Sequence, residues 1–318
     1  AEAETLKILG IYRSFMEDWI GLAPITGLKT ESEKFAGAVR TYGLEAMMQD
    51  NKALQAGTSH MLGQNFARQF DLKFQSEAGA EEYAWNTSWG TSTRMIGGMV
   101  MTHGDDSGIV VPPRLAPTQV VICPIWRKDE DRDAVLSKAD AVAAELGAAD
   151  VRTRIDARDH LSPGAKFYEW ERKGVPFRVE VGPKDLEKGQ LVVARRVHGE
   201  GEDRKMFLPE GEALSRLPGL LDELQTRLFQ AAVKHREDHS VRGSVNSIEE
   251  LGEALDSGAG FVYTGWSGDP AVEERIKKET RATSRVIPDE EFRSESMPTR
   301  CVGGDADAKV EVAWARAY

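Results

Sequence analysis

The chain has 318 residues, of which 41% are hydrophobic and 29% charged, and its formal net charge is −11. This composition is that of an ordinary globular protein, and the length allows two or three domains of roughly 100–200 residues each. The acidic balance excludes a protein that coats nucleic acid non-specifically, because attraction to phosphate supplies most of such binding. A local basic face is still allowed, since residues 151–210 contain 13 Lys or Arg and 11 Asp or Glu, a net charge of +2.

Neither a membrane span nor a secretory leader is indicated. No apolar run approaches the roughly 18–20 residues that a transmembrane helix needs. The first ten residues, AEAETLKILG, lack the basic and then apolar layout of a signal peptide. We therefore expect a soluble, cytoplasmic protein that does not contact membranes.

The first part of the chain alternates helical and extended patterns. Apolar residues at helical spacing predict a helix over Thr5–Trp19, ended by the glycine and proline that follow. The next elements predicted are a strand over 36–48, a loop-like segment over 53–63, a short helix around Phe66, two strands over 73–77 and 82–88 joined as a hairpin by 78–80, and a helix over Arg94–His103.

A proline-rich link, PPRLAP, follows and marks the first predicted domain boundary, because prolines remove backbone donors and force extended neighbours. Beyond it, a β-α-β-α-β-β alternation predicts a mixed sheet layered with helices, ended by a long helix from about Gly219 to Glu237. From Val245 a third pattern begins, with SIEELGEAL and PAVEERIKKET as helices around the strand GFVYTGW. The predicted domains are 1–115, 116–240 and 241–318.

Cysteine and histidine give little sign of a metal site. The two cysteines, Cys123 and Cys301, are too few for a disulfide framework or an all-cysteine site, and the apolar run QVVICPIW predicts that Cys123 is buried. His235 and His239 are spaced to share a helical face. They lie among charged residues, which favours a solvated surface over a metal site.

A junction between strand and helix, NTSWGTSTR, carries the first candidate for chemistry. An arginine there, Arg94, points its guanidinium at whatever lies over the sheet, and this group matches phosphate oxygens two at a time. Ser92 adds a hydroxyl, and Gly90 allows close approach of the backbone. The alternative is that Arg94 pairs with a neighbouring carboxylate, and spacing alone does not decide between the two.

The segment ALQAGTSHMLGQNF is the second candidate, because polar side chains crowd into it. Gln55, Thr58 and His60 are neutral or nearly so at pH 7, which suits hydrogen bonding to a neutral or zwitterionic small molecule. A loop whose side chains satisfy their own turn is the alternative. The segment by itself slightly favours that alternative.

Several consecutive blocks carry a family resemblance. ALQAGTSHMLGQNFARQFDLKF, EEYAWNTSWGTSTRMIGGMVMTHGDD and VVPPRLAPTQVVICPIW follow one another at short intervals, and together they closely resemble the prolyl-tRNA synthetases. These are class II aminoacyl-tRNA synthetases, and the form resembled lacks an inserted editing domain. The middle block PGAKFYEWERKGVPFRVEVGPKDLEKGQLVVARR is similar to that family's anticodon-binding domain, and GFVYTGWSGD, IKKET and AWARAY are similar to its C-terminal domain. The resemblance covers essentially the whole chain.

The resemblance implies a fold and a reaction. The fold would be an α+β catalytic part built on the antiparallel class II sheet, an α/β anticodon-binding domain and a small α/β C-terminal domain. The reaction would be activation of proline by ATP, with Mg²⁺ bound to the ATP, followed by transfer of the prolyl group to tRNA(Pro). A homodimer is implied for the full-length protein.

The resemblance also implies roles for individual residues. Arg94 and His60 would be the catalytic residues, the former on the ATP phosphates. The remaining assignments are Gln55, Thr58 and Ser92 with Arg94 for ATP, His60, Trp89 and Gly90 for proline, and Glu171, Arg178 and Lys184 for the anticodon.

The sequence departs from the family pattern in two places. The first two class II motifs lie upstream of the Thr5–Trp19 helix in the family, so we expect this chain to be incomplete for adenylate formation. Many relatives bind zinc through four cysteines in the C-terminal domain, whereas this chain keeps only one of them and therefore predicts no zinc. The four positions are Ser267, Val272, Cys301 and Gly304.

Two other functions are compatible with the residues. The chain could be a non-catalytic RNA-binding or regulatory module derived from the synthetase. A weaker alternative is an ATP-dependent ligase that acts on an acceptor other than tRNA, against which the anticodon-like segment counts.

Overall fold

A computed structural model describes residues 1–318 and divides them into two compact units. The first unit comprises residues 1–17, 22–102 and 231–318, and the second comprises 18–21 and 103–230. The structure is mixed α/β, with mostly antiparallel pairing in its largest sheet. Its longest helices all carry too many polar or charged residues to cross a bilayer.

The helices are α1 (Glu2–Phe15), α2 (Asn65–Gln69), α3 (Arg94–His103), α4 (Asp129–Ala148), α5 (Pro163–Arg172), α6 (Pro183–Lys188), α7 (Glu210–Asp238), α8 (Ile248–Asp256) and α9 (Pro270–Thr280). A π-helical turn, Met16–Ile20, continues α1, and a 3₁₀ turn spans Glu290–Phe292.

The strands are β1 (Ile25–Leu28), β2 (Arg40–Met47), β3 (Ala53–Gly63), β4 (Lys73–Gln75), β5 (Glu81–Tyr83), β6 (Asn86–Thr91), β7 (Val120–Pro124), β8 (Thr153–Ile155), β9 (Phe177–Val181), β10 (Gln190–Arg195), β11 (Lys205–Pro209), β12 (Ser240–Arg242), β13 (Phe261–Trp266), β14 (Thr283–Pro288) and β15 (Val310–Ala315).

The first unit is built on an eight-stranded sheet with the order β12-β13-β15-β14-β1-β2-β3-β6. All its pairs are antiparallel except β12 with β13. Helix α1 lies on one face, where the buried Ser59 hydroxyl donates to the Thr5 carbonyl oxygen at 2.7 Å. On that same face Gly57 leaves room for the side chain of Met16.

This sheet joins strands from both ends of the chain, because β1 pairs with β2 on one side and with β14 on the other. No local pattern in the sequence signals a pairing between strands some 260 residues apart in the chain. The three-domain division at 115 and 240 follows chain order, which the sheet does not follow, and that division stays a prediction.

The prediction of a loop over 53–63 was wrong, because this segment is β3, the longest strand of the protein. Its two-residue alternation is hidden for two reasons. The residues that face α1 include Gly57 and Ser59, which do not read as apolar. A β-bulge at Ala56 also shifts the register between β2 and β3.

The hairpin and the following helix are confirmed, with one change. Strands β4 and β5 pair across the predicted turn, and α3 has the predicted bounds of Arg94–His103. The second predicted hairpin strand, 82–88, is divided into β5 and β6, and β6 leaves the hairpin to pair with β3.

The second unit confirms the predicted mixed sheet. Its order is β11-β10-β9-β7-β8, with β7 parallel to β8 and β9 and the other pairs antiparallel. The apolar faces of α4 and α7 close a core against it. Helix α7 starts nine residues before the predicted Gly219 and contains Pro218. The buried Leu214 and Leu217 in this added stretch offset the hydrogen bond that proline removes.

In the C-terminal segment the helices α8 and α9 and the strand β13 are confirmed, whereas β14 and β15 escaped prediction. The four positions compared with zinc ligands lie near one another. The Cys301 thiol lies 3.5 Å from the Ser267 hydroxyl, and Val272 packs against Gly303, next to Gly304. Their side chains offer a metal one thiol at most, and a metal-free domain stays a prediction.

Both predicted histidine neighbours on α7 make defined contacts. The ring centroids of His235 and His239 are 4.4 Å apart, and each ring lies against a backbone carbonyl oxygen, that of Met48 at 3.1 Å and that of His235 at 2.8 Å respectively. These rings are half-buried, so the prediction of a solvated surface was too simple. No three His, Cys, Asp or Glu side chains of the chain gather as a metal site.

Candidate functional site

The polar side chains of β2, β3 and β6 lie on the sheet face opposite α1, which we call the His60 face. Residues directly opposite one another in an antiparallel pair point to the same face. The register therefore groups all of them. The His60 face consists of Thr41, Gly43, Glu45, Gln55, Thr58, His60, Ser88 and Gly90.

His60 is held at both ring nitrogens. Its Nδ1 lies 3.0 Å from the Thr41 hydroxyl and its Nε2 lies 3.0 Å from the Thr58 hydroxyl. The Thr41 oxygen also accepts from the backbone N–H of Phe35 at 3.0 Å, which leaves the Thr41 hydrogen available for Nδ1. This arrangement fits a neutral imidazole with its proton on Nε2. Burial lowers the pKa of His60.

We expect the His60 ring to titrate below the ordinary histidine pKa of about 6.5. The unfolded chain binds this proton more readily than the folded one, so the stability that the neutral ring provides is complete above pH 6.5. It is lost as the pH falls from that value through the folded-state pKa. Histidine ring NMR against pH, with His60→Gln to assign the signal, measures this, and a pKa at or above 6.5 would contradict it.

Space is open beside this histidine. A side-chain carbon added at Gly90, which lies opposite Thr58, would meet no heavy atom within 4 Å. The amides of Gln55 and the hydroxyl of Ser88 make no side-chain hydrogen bond within the protein. The structure thus brings Gln55, Thr58, His60 and Gly90 onto one face, on which the Gln55 amide and the Ser88 hydroxyl remain without a partner.

Trp89 is separated from this group. It lies opposite Ser59 and therefore points to the face that α1 covers, where its side chain is 44% exposed. Neighbouring strand residues such as Trp89 and Gly90 point to opposite faces. The structure does not bring Trp89 together with His60, and its role in binding proline stays a prediction.

Arg94 begins α3, three residues after β6 ends opposite Gly57. Its side chain is exposed and forms no ion pair, so the alternative that it ties down a carboxylate is not what the structure shows. The Ser92 hydroxyl accepts from the Arg94 backbone N–H at 3.2 Å and caps the helix start. A free guanidinium at a helix N-terminus is a favourable place for an anion.

A buried charge triad lies next to this group and escaped sequence reasoning. Glu45 accepts from Lys29 at 2.6 Å through Oε1 and from the Arg285 guanidinium at 2.7 Å through Oε2. The Lys29 stem lies over Gly43, the residue opposite Thr58. Burial lowers the pKa of Lys29. The alternation of Thr41, Gly43 and Glu45 along β2 could have placed Glu45 on the His60 face, but not its partner from β14.

In the second unit, two of the three predicted anticodon residues line one narrow cleft. Glu171 and Arg178 share it with three further arginines. The Glu171 Oε2 atom pairs with Arg204 at 2.5 Å. The third predicted residue, Lys184, is exposed on the first turn of α6 and does not line this cleft.

Arg178 is fixed from two sides. Its Nε and Nη2 donate to Glu180 Oε1 at 3.2 and 2.8 Å, and its guanidinium carbon lies 3.9 Å from the centroid of the Phe167 ring. The ion-paired arrangement that was the alternative for this stretch is therefore present in part. Oε1 of Glu171 and Nη1 of Arg178 still have no hydrogen-bond partner within the protein. Sequence reasoning missed Phe167, Glu180 and Arg204, whose spacing has no motif.

Comparison with known proteins finds family models that match two parts of the chain. Residues 119–210 match the family described as anticodon binding domain. Residues 248–318 match the family described as prolyl-tRNA synthetase, C-terminal.

Relatives that match this chain over its whole length are also found. The chain is 48% identical over 319 residues to a proline–tRNA ligase of Roseiflexus sp. (strain RS-1) and 50% identical to one of Chloroflexus aurantiacus, in each case over 100% of this chain and 65% of the relative. It is 43% identical to a proline–tRNA ligase of Natranaerobius thermophilus, of which it covers 64%. The chain thus spans about 65% of the length of the curated relatives it matches. Along its whole length the chain is similar to proline–tRNA ligases, and its last part matches the prolyl-tRNA synthetase C-terminal family.

Proposed function

We propose that the chain is part of a proline–tRNA ligase, which joins proline to ATP as prolyl-adenylate and passes the prolyl group to tRNA(Pro). The observation that carries this proposal is the similarity to proline–tRNA ligases along the whole chain. The open, polar His60 face supports it as the place where the small substrates bind. The same relationship leads us to expect a homodimer of the complete protein.

In this proposal, strands β1, β2, β3 and β6 are the C-terminal part of an antiparallel class II sheet, with α1 behind it and the His60 face in front. Gln55 and Thr58 would hydrogen-bond the nucleotide. His60 would face proline or the terminal adenosine of the tRNA, and such a ligand would replace the Thr58 hydroxyl as the partner of the Nε2 atom. Gly90 would leave room for the substrate, because nothing fills the space above it.

The chemistry would need little proton transfer from the protein. A carboxylate oxygen of proline attacks the α-phosphorus of ATP and pyrophosphate leaves. A hydroxyl at the 3′ end of the tRNA then attacks the prolyl carbonyl and AMP leaves. Arg94, with the Ser92 hydroxyl beside it, would neutralise charge that develops on the phosphates of Mg²⁺-bound ATP, while the polar face holds the reacting groups in position.

The cleft of the second unit would read the anticodon. Single-stranded loops expose the edges of their bases, and the free Oε1 of Glu171 and Nη1 of Arg178 provide one acceptor and one donor for such an edge. Lys184 would act at a distance from the cleft, on the loop phosphates.

Replacing Arg178 with alanine tests this assignment in the complete gene product. We expect kcat/KM for tRNA(Pro) to fall by about 10- to 100-fold, the size typical of one lost base contact. Proline-dependent exchange of pyrophosphate into ATP should be unchanged, because the anticodon site takes no part in it.

Arg178→Lys is the matched control, since it keeps the charge and loses the planar fork, and it should recover only part of the loss. The unfolding midpoint must be measured for each variant, because the Arg178 side chain is 9% exposed and paired with Glu180. Unchanged charging of tRNA(Pro) by a folded Arg178→Ala protein would remove Arg178 from the anticodon site.

A further inference from the structure

Strand β11 carries an aromatic ring that is exposed and does not pack on the core. Met206 and Leu208 pack on the core of the second unit, whereas Phe207, between them, is 63% exposed. Strand β11 is also at the edge of its sheet. A phenylalanine exposed on an edge strand favours unwanted association, which natural proteins usually avoid with charged residues. The exposed Phe207 ring therefore indicates that this edge of the sheet contacts a binding partner.

The register places Phe207 on the same sheet face as Arg178. Val192 of β10 lies opposite both Phe207 and Glu180. Ala194 lies opposite both Lys205 and Arg178. Because cross-strand neighbours share a face, the side chains of Arg178, Lys205 and Phe207 all point to one side of the sheet.

Cations and aromatic rings alternate across this face. The ammonium group of Lys205 lies 5.4 Å from the centroid of the Phe167 ring and donates to the Glu180 carboxylate at 2.8 Å. The guanidinium of Arg178 lies over the same ring. Proteins that bind single-stranded RNA combine positive charge, which follows the phosphates, with aromatic rings on which bases stack. Phe207 extends this combination to the sheet edge.

Phe207 and Arg178 do not lie side by side on the sheet. Their strands are separated by one strand and their rows by two residues along the strand, which gives about 12 Å between backbone positions. A base hydrogen-bonded to Arg178 must lie about 3 Å from its guanidinium. The ring of Phe207 is therefore placed for a neighbouring base.

We propose that Phe207 is a stacking platform for an unpaired nucleobase of the tRNA anticodon loop, next to the base that Arg178 reads. This inference rests on the proposed anticodon function and adds a subsite to it. Stacking on a phenyl ring requires only the face of a base, so this subsite would raise affinity with little dependence on base identity.

Three substitutions in the complete gene product test the subsite. Phe207→Ala should lower kcat/KM for tRNA(Pro) roughly 5- to 150-fold, the range expected from one stacked base. Phe207→Leu keeps apolar area but has no π-face, so it should lower kcat/KM nearly as much as Phe207→Ala does. Phe207→Tyr should keep nearly all activity. Proline-dependent pyrophosphate exchange and the unfolding midpoint should not change. When 2-aminopurine is placed at successive positions of the tRNA loop, its fluorescence at one position should be quenched by the unaltered protein and not by Phe207→Leu.

The outcomes are distinguishable. If Arg178→Ala weakens charging and Phe207→Ala does not, the subsite is wrong and the anticodon function stands. If the unaltered protein does not bind tRNA(Pro), both proposals fail. If Phe207→Ala changes only the sedimentation of the protein, the ring serves a contact between copies of the chain and the subsite is overturned. Equal loss with Tyr and Leu would also overturn it, because stacking requires that Tyr be retained.

Discussion

Replacing Arg94 by alanine in the complete gene product should slow proline-dependent pyrophosphate exchange about 100- to 1000-fold, the usual effect of removing one preorganised group that stabilises transition-state charge. The side chain is exposed, forms no ion pair and stands at the start of α3. It therefore contributes little to folding, and the unfolding midpoint should not move. A large kinetic effect without a stability effect is what separates a phosphate-binding arginine from a structural one.

Two controls make this test specific. Arg94→Lys keeps the charge but cannot bind two oxygens at once, so its rate should lie between those of the unaltered protein and the alanine variant. Arg300→Ala removes another exposed arginine, whose side chain is 72% exposed and 3.9 Å from Asp305, and should leave exchange unchanged. An Arg94→Ala protein with unaltered exchange would show that Arg94 does not contact the phosphates.

The second large effect concerns stability. Glu45→Gln should lower the free energy of unfolding by about 3–5 kcal/mol, because it leaves Lys29 and Arg285 as buried cations without a counterion. Both cations contact the same carboxylate, whose side chain is fully buried, and the positive charge of Arg285 acts on Lys29 unfavourably. Denaturant unfolding of the chain measures this.

The matched control removes all three charges together. A triple variant, with Lys29→Met, Glu45→Leu and Arg285→Met, should recover most of the lost stability, because replacing a buried ion cluster with apolar side chains of similar volume is often neutral. If Glu45→Gln unfolds at the same denaturant concentration as the unaltered chain, the triad is not buried in the way the structure shows.

The sequence predicts those elements whose pattern is local. Helix α3 has the predicted bounds because apolar residues fill it from Arg94 and a Gly-Asp-Asp run ends it. Strand β3 could not be predicted in this way, because its buried positions include Gly57 and Ser59 and a bulge interrupts its period of two residues. The pairing of β1 with β14 has no local signal at all.

The candidate site was predictable to the same extent. Thr58 and His60 are two residues apart on a strand, so their convergence follows from strand geometry once β3 is recognised. The same geometry predicts that Trp89 and Gly90 cannot both face the substrate. Thr41 and Arg285 join the site through pairing between distant segments, which a single sequence does not reveal.

The most direct test of the proposed function is exchange of labelled pyrophosphate into ATP by the complete gene product, measured with each of the standard amino acids. We predict exchange that depends on proline and is lost with Arg94→Ala. A folded protein that binds tRNA(Pro) and supports no exchange with any amino acid would contradict the proposal, and would identify an RNA-binding or regulatory module in place of a ligase.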